Sequence, residues 1–86
     1  MIVRWRGDRP LADREGVAAV YQVSQRSVRR YCLPRDYDPE SRRALYDLLD
    51  CEEQLSAVVA RPQTTAQART LRARRLEVAR RLAAGR

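Results

Sequence analysis

Eighty-six residues and 10.0 kDa make one small domain, too short for most enzyme scaffolds with a substrate cleft. Apolar residues are 44% of the chain, but 12 of them are Ala and Phe is absent, so the composition predicts a thin, helical core that a second copy would usefully extend. The net charge of +7 points to an anionic partner, tempered by the fact that all 18 basic residues are Arg and that Lys, Asn and Phe are missing, as GC-rich coding also produces.

In chain order, Ile2, Val3 and Trp5 stand in near alternation before turn-forming Gly7, Asp8 and Pro10. This reads as an extended N-terminal arm or short edge strand, with Trp5 folded onto the core. Asp13 is placed to cap a helix from about Arg14 to Tyr21, with Glu15 in its first turn and Gly16 weakening it. After a break at Gln22 and Val23, Ser24 caps a second helix reaching Cys32 or Leu33, which Pro34 stops. Asp38-Pro39-Glu40 carries the signals of a helix start, so a long helix is predicted from Pro39 to about Ala60, with Leu45, Leu48, Leu55 and Val59 along one stripe. Arg61-Pro62-Gln63 interrupts it, and Thr64 or Thr65 caps a last helix to about Ala84 carrying Ala68, Leu71, Val78 and Leu82.

The predicted fold class is therefore all-α: two short helices, then a two-helix antiparallel hairpin, behind a short extended arm. Residues 1–38 form the first part and residues 39–86 the hairpin, within one compact domain. The charge divides along the chain. It is +3 over residues 1–38, −3 over 39–60 and +7 over 61–86, which suits the third helix to pairing with the basic fourth. The leucine stripe exceeds what the last helix can cover, particularly as Arg75 interrupts that helix's own stripe. A homodimer through Leu45, Leu48, Leu55, Val59, Leu71, Val78 and Leu82 is the corresponding expectation.

Cys32 and Cys51 with no His cannot complete a tetrahedral zinc site, and no cofactor motif is present, so neither metal nor cofactor is expected. Without His there is no serine-based triad, and without a Gly-rich loop there is no phosphate cradle, so the chain does not read as an enzyme. No secretory segment and no apolar run of the ~20 residues a membrane span requires is seen. A cytoplasmic protein with both thiols in the core is expected.

The segment from Val17 to Tyr31 resembles the helix-turn-helix of bacterial and phage DNA-binding proteins, of the MerR or excisionase kind. Ala18 provides the small residue at the helix crossing, and Val17, Tyr21, Val23, Val28 and Tyr31 provide the shared core. Gln22 stands where many members have Gly because the backbone there is left-handed, at ~1 to 2 kcal/mol for another residue. The resemblance implies that Ser24, Gln25, Arg26, Ser27, Arg29 and Arg30 face the major groove. Arg26, Arg29 or Arg30 would then read guanine, Gln25 adenine, and the serines at the helix start would hold a phosphate. Relatives carry a two-stranded wing after this helix, but residues 34–38 are too few for one before the predicted next helix, so minor-groove contact falls to Arg4, Arg6 and Arg9 of the arm. The function so implied is a sequence-specific binder of double-stranded DNA, a phage or mobile-element regulator or recombination accessory factor acting by site occupancy. The alternative is a protein-interaction module docking through its helical hairpin.

Overall fold

A computed structural model describes residues 1–85. Four strands and four helices alternate along the chain: β1 (Val3–Arg6), β2 (Arg9–Ala12), α1 (Arg14–Tyr21), α2 (Gln25–Tyr31), β3 (Asp36–Asp38), β4 (Arg43–Asp47), α3 (Leu48–Gln54) and α4 (Thr65–Ala84). The strands form one antiparallel sheet in the order β1-β2-β4-β3, which overturns the all-α expectation.

The arm is half of a hairpin. Val3 and Trp5 turn inward and Arg4 and Arg6 outward, as strand geometry requires, and a two-residue turn puts Gly7 at φ +63°, the position a type II′ turn reserves for glycine. Asp13 then caps α1 by accepting from the Gly16 amide at 2.8 Å, and Ser24 caps α2 by accepting from the Ser27 amide at 3.1 Å. Gln22 between the two helices is left-handed (φ 55°, ψ 48°) and donates its amide to the Ala18 carbonyl. Gly16 is buried where a Cβ would lie 2.9 Å from both the Ile2 carbonyl oxygen and the Ala12 Cβ. Its absence of a side chain, a cost to the helix alone, is what lets α1 seat on the sheet.

The long helix expected from residue 39 to residue 60 does not exist. Asp38 ends β3 rather than capping a helix: its carboxylate accepts from the Ser41 amide (2.9 Å) and hydroxyl (2.5 Å), and its carbonyl accepts from the Arg42 amide at 2.8 Å. Arg42, left-handed at φ 60°, turns the chain back into β4. Leu45, Tyr46 and Asp47 are all buried, because β4 is inside the sheet and helices cover it; a strand buried on both faces shows no alternation. Asp47 then caps the seven-residue α3, accepting from the Leu49 amide at 2.8 Å. Residues 55–58 form turns, an irregular stretch follows to residue 63, and Thr64 caps α4 by accepting from the Gln67 amide at 3.1 Å.

Nor do the last two helices form a hairpin with each other. The second half of α4 packs on α1 and β1: Ala79 is fully buried, the Arg75 guanidinium lies 4.6 Å from the Tyr21 ring, and that of Arg80 lies 5.3 Å from the Trp5 ring. Leu45, Leu48 and Leu55, the heart of the expected dimer seam, are at most 3% exposed inside the chain's own interior, and Val59, Val78 and Leu82 pack beside the core. The surplus apolar stripe that motivated a second copy came from reading strand and helix residues as one helix face.

The two edge strands of the sheet approach each other. Arg4 and Arg6 of β1 reach Asp38 and Asp36 of β3 at 3.0 and 2.8 Å. Three strand spacings of about 4.8 Å would put a flat sheet's edges some 14 Å apart, so the sheet is curled.

Candidate nucleic-acid interface

The outward face of α2 is built by its own periodicity. Val28 is buried and Tyr31 partly so, anchoring the helix to α1, which leaves Gln25, Arg26, Arg29 and Arg30 exposed on the other side. Ser24 and Ser27 are joined at 3.1 Å between hydroxyls, so both contribute to the cap. Among the described residues, Arg26, Arg29 and Arg30 have no acidic partner; Arg30 lies over the Tyr31 ring at 5.4 Å, and the other two extend into solvent.

The arm arginines are differently placed. Arg4 pairs with Asp38, Arg6 with Asp36, and Arg9 with Asp47 at 2.5 Å and Asp50 at 3.3 Å. Arg35 joins Asp50 at 3.0 Å, and Arg43 joins Asp13 at 2.6 Å. These pairs leave their marks on protonation. Hydrogen bonding to Asp47 raises the Arg9 pKa, and hydrogen bonding to Asp13 raises that of Arg43. Burial pushes the Asp13 carboxyl up, but the Gly16 amide and the Arg43 guanidinium outweigh it and hold the group below the usual carboxylate range. The Ser41 hydroxyl and amide, with Arg4, likewise hold Asp38 low.

Between the start of α2 and the β3–β4 turn lies an open cleft of about 440 Å³, bordered by Gln25, Arg14, Arg42 and the Arg43–Asp13–Glu15 cluster. Arg14 and Arg42 have no acidic partner among the described residues, so the cleft has unpaired cations on both walls. Sequence reasoning missed both. The signal for Arg42 was present in Asp38-Pro39-Glu40-Ser41, where a side-chain acceptor followed three residues later by Ser fits a turn as well as a helix cap.

The two cysteines are free and buried, Cys32 at the end of α2 and Cys51 in α3. Neighbouring Cys32 together with burial pushes the Cys51 thiol up. Among the described residues no cluster of His, Cys, Asp and Glu could hold a metal, and no helix is long and apolar enough to cross a membrane. In comparisons with known proteins, no family model, no curated protein and no solved structure matches the chain.

Proposed function

We propose that the chain is a sequence-specific binder of double-stranded DNA that acts by occupying its site. In this reading α2 enters the major groove with Gln25, Arg26, Arg29 and Arg30 toward the base edges, while the β3–β4 turn lies against the backbone alongside it. The observation that carries it is the acid-free face of α2, whose three arginines are unpaired in a chain where every arginine of the sheet has a carboxylate. Arg14 and Arg42, across the cleft, are spaced on two elements to take phosphates flanking the groove. A role as a phage or mobile-element regulator or recombination accessory factor rests on the helix-turn-helix resemblance. No second copy is needed, since one α2 serves one groove.

Selection of bound sequences from a random duplex pool tests the reading. An enriched motif of a few base pairs, lost with Arg26→Ala, is expected. Equal binding of all duplexes and of heparin would reduce the surface to a general polyanion site.

A further inference from the structure

Residues 55–63 and the first three turns of α4 enclose a groove of about 540 Å³ away from α2. Its floor is apolar, made by Val59, Ala60, Pro62 and Leu71, and no acid lines it. Arg61 and Arg74 stand on its rim, exposed and without an acidic partner among the described residues. The second half of α4 spends its apolar side chains on the core, so this first half is the part of the helix whose apolar side is left uncovered.

The charge on the rim selects the occupant. A second copy related by a two-fold axis would set Arg61 and Arg74 against themselves. The helix α4 itself holds six Arg and a single acid, Glu77, which already pairs with Arg81 at 2.9 Å. Another α4 therefore has no carboxylate to offer, and like charges across an apolar contact are costly. Duplex DNA would satisfy the rim but gains nothing from the floor. What meets both is a helix with apolar residues at i, i+3, i+4 and i+7 and carboxylates beside them.

We propose that this groove is a docking site for an acidic, amphipathic helix of a partner protein. It is independent of DNA recognition by α2 and lets a site-bound chain hold a second protein.

The test uses the full chain and a fluorescent synthetic helix of about 18 residues of Leu, Ala and Glu, patterned to give one apolar face. Two controls accompany it: the same residues shuffled so that no face forms, and the same helix with Lys for Glu. Saturable binding of the acidic helix is expected, with amide shifts in ¹⁵N spectra confined to residues 59–75. Arg61→Glu with Arg74→Glu should weaken it by about tenfold, and Leu71→Ser similarly, while Arg26→Ala leaves it unchanged. Arg61 and Arg74 are exposed, so the charge reversal should keep the melting temperature of the parent. Equal binding of the shuffled or Lys peptide, shifts centred on α2, or the same amides shifting with duplex DNA would each overturn the proposal. So would a two-chain mass in sedimentation equilibrium with these amides protected. The random-pool selection reads α2 alone, so failure of either reading is recognised separately.

Discussion

The sheet, with four arginines, and α2, with three, use them in opposite ways. On the sheet, Arg4, Arg6, Arg9 and Arg43 each meet an aspartate brought close by strand pairing, by the curl of the sheet or by the cap of α1, and three of the four acids are buried: Asp47 is 1%, Asp13 2% and Asp38 6% exposed. On α2, Arg26, Arg29 and Arg30 form no ion pair among the described residues. A count of basic residues could not separate the two sets, and a coding bias toward arginine would inflate both. Pairing separates them: one set is tied into the fold, and the other has no acidic partner among the described residues.

The largest expected effect comes from removing an acid of the paired set. Asp47→Ala takes away both the α3 cap and the nearer of the two partners of Arg9, and should cost about 2 to 4 kcal/mol in urea unfolding. A loss below about 0.5 kcal/mol would mean the sheet pairs are ornamental and would dissolve the contrast. Next, Arg26→Ala should weaken specific DNA binding by about 1 to 3 kcal/mol while leaving the melting temperature unchanged. Arg14→Ala and Arg42→Ala sharpen the division within the unpaired set. Each should weaken all duplexes alike and lower the salt slope of binding by about 1, measured by fluorescence anisotropy across a salt series.

Acid should act on the paired set alone. Asp13 and Asp38 have depressed pKa values in the folded chain, so their contribution to stability is present in full above the unfolded value near 3.9 and is lost as pH falls through the lower folded values. Asp13→Asn should therefore flatten the acid limb of a melting-temperature profile while lowering its plateau. An acid limb identical to the parent's would remove Asp13 from the account. The smallest effect is expected at Gln22→Gly. Relief of the left-handed backbone favours it and the freer unfolded chain opposes it, leaving a gain of under about 1 kcal/mol in the same unfolding measurement.

Much of the first half of the chain was legible because its signals are local. Asp13 and Ser24 cap the helices they were expected to cap, Val28 is buried and Gln22 is left-handed; further on, Thr64 caps the last helix, also through a local signal. The middle was not legible. Leu45 and Leu48 are three residues apart, as on a helix, yet one is in a strand and the other opens α3; burial on both faces of β4 erased the alternation that identifies a strand. The hairpin of β3 and β4 was missed for a second reason: Pro39 and Glu40 suit a helix start, and only pairing of Asp36 with Leu45 and of Asp38 with Arg43 shows a turn. At the site, the outward residues of α2 followed from spacing, whereas the pairing of Arg4 and Arg6 depended on a sheet curl, and that of Arg9 on the pairing of β2 with β4, neither of which a local pattern encodes. The α2 residues proposed to read DNA were thus visible in the sequence, and Arg14 and Arg42 were not.

Gly16 fixes how the exposed face of α2 is presented. With its Cα pressed against the Ile2 carbonyl and the Ala12 side chain, α1 has a single seat on the sheet, and α2 inherits its orientation through the short turn at Gln22. Residues 25, 26, 29 and 30 are exposed and outside that seat, so they can be exchanged as a set without disturbing the frame that presents them. On the proposed DNA reading, adaptation to a new sequence, in the laboratory or in a genome, is then a matter of rewriting four side chains on a support that tolerates little revision beneath them.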